Sequence, residues 1–191
     1  MGVADRRSLV RSAIRAGGVL GAAKIFILSV LHLAFGVPAL VSVATGVLLW
    51  AATIGVLLLA AFRLPRETGG FQPYTRVLFH LCLTWALGQA FYTAFSILLF
   101  HVIEPSLLET TVEPMREIAR KSGERQGLPT AEIETWVASI TRQASPFSVW
   151  GQLRGYRDGL LPGIVMAALM AIPFRGTKRD APAEGATPQE S

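Results

Sequence analysis

Residues 39–62 read ALVSVATGVLLWAATIGVLLLAAF, 24 positions without a charged side chain. An α-helix rises about 1.5 Å per residue, so the run extends roughly 36 Å, against about 30 Å for the hydrocarbon core of a bilayer. A strand rarely exceeds about 10 residues, and a helix that is apolar all round needs an apolar solvent or a large core. The run reads as a membrane span.

The same pattern recurs on both sides. Residues 16–36 are apolar apart from Lys24 and His32, residues 77–103 hold no Asp, Glu, Lys or Arg, and 147–174 form a fourth apolar stretch. Gly36-Val37-Pro38 supplies a tight turn between the first two spans. A basic start before a short apolar run also suits a signal peptide. Here no convincing cleavage site follows and a second span begins at once, so the segment is expected to be retained. The whole chain is 51% hydrophobic and only 16% charged, below the roughly 25% charged residues of globular proteins. Its only cysteine, Cys82, sits inside an apolar run and excludes an intrachain disulfide or a cysteine metal site.

The net charge of +5 does not point to nucleic acid, because the basic residues flank the spans. Arg6, Arg7, Arg11, Arg15 and Lys24 stand near the start against Asp5 alone. Arg63, Arg66 and Arg76 surround the second loop, and Arg175, Lys178 and Arg179 follow the fourth span. The segment 104–146 instead carries five basic residues against seven glutamates. Basic loops stay inside, so both termini are expected in the cytoplasm and residues 104–146 outside, at the inner (plasma) membrane. Residues 1–15 form a basic cytoplasmic N-terminus, 16–178 the membrane domain, and the Ala/Pro/Glu-rich 179–191 a disordered cytoplasmic tail.

The outer segment reads as a helical hairpin. Ser106-Leu-Leu-Glu109 has the capping-box spacing, Met115, Ile118 and Ala119 recur at helical period, and Pro114 kinks or restarts the helix. Gly127-Leu-Pro129 breaks it, and Thr130 is the expected N-cap of a second helix. That helix presents Ile133, Trp136, Val137 and Ile140 on one apolar face. Either the two helices cover each other's faces, or the second face docks a partner or the membrane surface.

Polar residues inside the spans are the other candidates. Trp85, Gln89, Tyr92, Thr93 and Ser96 share a face of the third span, while Ser42, Gly46 and Thr53 share one in the second. Such stripes mark helix contacts or a solute path. In the fourth span, Arg154, Arg157 and Asp158 lie three and four residues apart on one face. They are expected just inside the outer boundary, with Arg154 as the partner of Asp158 and a kink at Pro162. The cluster is an interfacial anchor or a polar site. HExxH, a Gly-rich phosphate loop and GxSxG are absent, and the three histidines are poorly spaced for a metal. No catalytic, cofactor or metal residues are expected.

Several features together resemble a bacterial membrane family catalogued as domain of unknown function 4199. They are Arg63-Leu-Pro-Arg66-Glu-Thr-Gly-Gly-Phe71, Ile103-Glu104-Pro105, Gly127-Leu-Pro-Thr-Ala-Glu-Ile133 and Ser145-Pro146, in this order and spacing over roughly residues 16–178. The resemblance implies a four-helix membrane fold, without an established activity or site residues. Gln152-Leu-Arg154-Gly-Tyr-Arg157-Asp158 departs from it, since the last span of that family usually begins apolar.

The expected fold is therefore all-α: an integral membrane four-helix bundle with an external helical hairpin between spans three and four. The expected function is that of a non-enzymatic multi-pass membrane component, surrounded by the lipid bilayer, whose hairpin engages another protein or a second copy. The alternative is a small transporter or permeation unit built on the third-span stripe and the Arg/Asp cluster. A membrane enzyme ranks third.

Overall fold

The computed structural model of the chain describes residues 3–68, 72–141 and 145–174, and no strand occurs among them. Helix α1 covers Val3–Phe35, a single turn α2 covers Val37–Leu40, and α3 runs from Val43 to Thr68. Helix α4, Tyr74–Leu98, continues through a π-turn at Leu99–Ile103. The hairpin contains α5 (Ser106–Thr110), α6 (Val112–Arg125) and α7 (Thr130–Ser139), before α8 (Val149–Ala171) closes the bundle. Four segments are long and apolar enough to cross a membrane: Arg7–Phe35, Val43–Glu67, Tyr74–Ile103 and Val149–Phe174. Phe26, Leu33, Val47, Leu59 and Leu161 project outward and are more than half exposed. Large apolar groups on the outside of every long helix require lipid as solvent.

Between helices in lipid there is no strong hydrophobic drive, so close packing must hold the bundle. The most extensive contact joins α1 to α4, followed by α4 with α8 and α1 with α3. The first is made by glycines. A Cβ at Gly88 would stand 2.6 Å from Leu20, and Cβ atoms at Gly17 and Gly21 would stand 2.8 Å from Leu87 and 2.7 Å from Phe91. The small-xxx-small step is thus Gly17–Gly21. At Gly46, on the second-span face shared with Ser42 and Thr53, a Cβ would meet nothing within 4 Å. Leu57, Ala61, Leu64, Val77, Leu81, Ala167 and Ala171 fill the rest of the inner core.

Several boundaries move. Helix α1 starts at Val3, so the expected span 16–36 lies within a longer helix, in which Leu9 and Ala13 are buried while Arg7, Arg11 and Arg15 project from the same turns. The capping box at Ser106 does not form. Pro105 holds the N-cap position, and Pro129 does the same ahead of Thr130, each with φ near −60°; a proline already fixed at helical φ starts the helix one residue early. Pro114 lies in the first turn of α6, where its missing N–H has no partner to lose, so the helix restarts at Val112. Gly127 (φ 69°) ends α6, with Leu128 N–H donating to Gly123 O and Gly127 N–H to Glu124 O. This paired closure needs a residue in the left-handed region. Helix α8 begins at Val149 with Ser148 as N-cap, its Oγ accepting from Gly151 N–H at 3.1 Å. The expected disordered tail, 179–191, lies outside the described residues.

Candidate functional site

The hairpin uses half of its predicted face for itself. Ile133 and Val137 are buried with Ala119, and a Cβ at Gly123 would stand 2.8 Å from Ile133. Arg120 pairs with Glu134 at 3.3 Å, and Arg116 Nε donates to the Ile140 carbonyl at 3.1 Å. Trp136 is turned away and 43% exposed, as is Ile118 at 46%. With Met115, Ile140, Pro146 and Phe147 they line an apolar groove of about 560 Å³ between the hairpin and the adjoining end of the bundle. The groove floor is firm. Phe147 stacks on buried Phe100 at 4.5 Å between centroids, and its carbonyl meets His101 Nε2 at 3.3 Å. Nearby, His32 Nε2 lies 3.2 Å from Glu104, tying the end of α1 to the residues that lead into the hairpin.

A second site lies halfway along the bundle. Lys24 is only 5% exposed, although sequence reading counted it among the residues that set orientation. Its Nζ donates to Gln89 Oε1 at 2.8 Å and sits 4.6 Å from the ring centre of Trp85 and 5.6 Å from that of Tyr92. Trp85 stacks on Trp50 at 5.8 Å. A buried ammonium loses several kcal/mol of hydration. A hydrogen bond to a charged group, about 1.5–3 kcal/mol, and a desolvated cation–π contact of about 2 kcal/mol offset part of that. Beside Lys24 is a cavity of about 250 Å³, lined by Gly46, Trp50, Thr53, Gln89, Gly155 and Gly159.

Of the expected third-span pair, Gln89 lines this cavity, whereas Thr93 is buried further along α4. The missed member is Lys24. Its signal was visible: a lysine inside an apolar run, opposite a Trp85/Gln89/Tyr92 stripe.

Arg154, Arg157 and Asp158 do not enter the bundle. All three are exposed on the outer side of α8. Asp158 pairs with Arg157 at 2.7 Å, not with Arg154, which forms no ion pair among the described residues. Gly159 lines the same cavity as Gln89, so Asp158 stands level with the middle of α4. Because α8 begins at Val149, a turn and a half of helix separates Arg154 from its N-terminal end. Among the described residues no group of three His, Cys, Asp or Glu side chains is placed to hold a metal.

The model of a family described as a protein of unknown function (DUF4199) matches residues 16–175, and the chain belongs to that family. No curated protein and no solved structure matches it.

Proposed function

We propose that this family member is a non-enzymatic component of a bacterial inner membrane whose external hairpin binds an apolar segment of another protein. The observation that carries this reading is the groove of about 560 Å³. Ile133 and Val137 suffice to close the hairpin, so Trp136 and Ile118 are spared for a partner. Aromatic and aliphatic anchors in such a groove are the usual source of affinity for docked segments. Arg7, Arg11, Arg15, Arg63, Arg66 and Arg76 flank one end of the spans, which supports cytoplasmic termini and an outer hairpin.

A photocrosslinking amino acid at position 136 tests this in native membranes. One defined protein adduct is expected, lost on Ile118→Asp. An adduct of two 20.6 kDa chains would assign the groove to a second copy. Adducts with lipid alone would remove the reading. The orientation is checked by a cysteine at position 126, which should label from outside without permeabilisation.

A permeation unit is the second reading, favoured by the polar pair Lys24–Gln89 at mid-bundle. Solute flux in proteoliposomes that depends on Gln89 separates it from the first.

A further inference from the structure

We infer that the cavity beside Lys24 binds a small apolar carboxylic acid, with its carboxylate on the Lys24 ammonium and its hydrocarbon part along Gly155 and Gly159.

The charge of Lys24 is unanswered. An ammonium offers three donors, and among the described residues it meets one accepting oxygen, Gln89 Oε1. The faces of Trp85 and Tyr92 attract the charge without neutralising it. No carboxylate among the described residues pairs with Lys24. Asp158, the acid at the same height, is exposed on the flank of α8 and already paired with Arg157. An ionisable residue at this depth is a site by default, and an anion is what this one lacks.

The room for that anion has a definite shape. One turn below Gly159, the Trp85 indole fills the place of a Cβ at Gly163, so α4 and α8 touch there. At Gly155 and Gly159 a Cβ would meet nothing within 4 Å. The gap of about 250 Å³ therefore opens above the Trp85–Gly163 contact, with Lys24 at its wall. A bare halide would leave most of it empty, and a phosphate dianion would require more donors than Lys24 and the Gln89 amide supply. A carboxylate carries one charge and accepts from both. Its apolar body meets Trp50, Leu49 and the two glycines. Trp50 is 46% exposed, which leaves that wall open to the bilayer.

The test uses the full chain in lipid nanodiscs, titrated calorimetrically with 1-naphthoate and with neutral 1-naphthalenemethanol. Saturable binding of naphthoate is expected, about 30-fold tighter than the alcohol, because removing one partner of a buried charge pair costs at least that factor. Lys24→Met should lose the same factor. Gly159→Leu keeps the lysine, fills the gap and replaces a poor helix former, so its loss of binding tests the cavity even where Lys24→Met misfolds. Arg66→Gln, an exposed cation at the far end of α3, should bind as the parent does. Equal affinity in all variants, equal affinity for the alcohol, or no saturable uptake would each overturn the inference.

Discussion

The indole of Trp85 on α4 occupies the place in which Gly163 on α8 would carry a Cβ. That single relationship sets where α8 touches α4 and where the two part. Gly163→Ala must push the ring aside and disturb its stack on Trp50. Overpacking of this kind costs about 1–3 kcal/mol. Unfolding in mild detergent should show that loss, with a shift in tryptophan emission. Unchanged stability and emission would mean that α8 is free to move off α4.

Two other glycines separate packing from propensity. Gly88 receives Leu20, with 2.6 Å to a built Cβ, while Gly18 has open space. Gly88→Ala should destabilise the bundle, again by about 1–3 kcal/mol. Gly18→Ala should stabilise it by up to about 1 kcal/mol, the difference between glycine and alanine in a helix interior. Opposite signs in parallel unfolding curves are the expected result; the same sign for both would refute the α1–α4 contact.

The second and third spans were legible because runs of 24 and 27 residues without Asp, Glu, Lys or Arg are long enough to cross a bilayer, and the other two followed from their similar apolar character. The α1–α4 contact was half legible: Gly17 and Gly21 stand four apart, but nothing in the run distinguishes them from Ser42 and Gly46 without a partner helix. Lys24 was misread for a related reason. A lysine near a basic N-terminus looks like part of it until the helix is rotated and its neighbours are known. The ends of the hairpin helices turned on prolines, whose fixed φ outcompeted the side-chain caps at Ser106 and Thr130. The height of Arg157 and Asp158 along the bundle followed from where α8 starts, at the Ser148 N-cap.

Within the hairpin, the two halves of the α7 face should respond differently. Ile133→Ala removes the side chain packed on Gly123 and Ala119, a loss of about 2–5 kcal/mol for a buried isoleucine. The segment should then become sensitive to protease. Ile118→Asp alters only the groove and should leave protease resistance intact while abolishing the crosslink from position 136. Cleavage of the Ile118→Asp chain at the rate of Ile133→Ala would show that the groove is part of the hairpin core.

Glu117 gives a pH-dependent mark on α6. Its carboxyl is held below the usual value by the hydrogen bond from Lys121 Nζ at 2.6 Å, then by the charges of Lys121 and Arg120. The pair is intact at neutral pH and is lost as the pH falls through the lowered value. Lys121→Met should move the Glu117 titration, followed by carboxyl NMR, back up toward 4.5. Since the pair is fully exposed, hairpin stability should not change with it.

The Arg157–Asp158 pair reports what lies against the outer side of α8. Both side chains are more than half exposed, at 73% and 56%, yet they stand level with Gln89 in the middle of α4. In water, such an exposed pair contributes about 0.2–1 kcal/mol. In hydrocarbon, stripping one partner strands the other, and the coupling rises because neither charge is solvated. A double-mutant cycle with Arg157→Leu and Asp158→Asn should therefore give about 1–3 kcal/mol, the upper part of the range for residues in contact. Folded yield should fall with Arg157→Leu and recover when Asp158→Asn is added, because the stranded carboxylate is then gone. The same cycle on Arg154 and Asp158 should be near zero, since those two do not pair. Coupling below about 0.5 kcal/mol for Arg157 and Asp158 would mean that water or headgroups reach this height, and the outer side of α8 would then not face hydrocarbon at all.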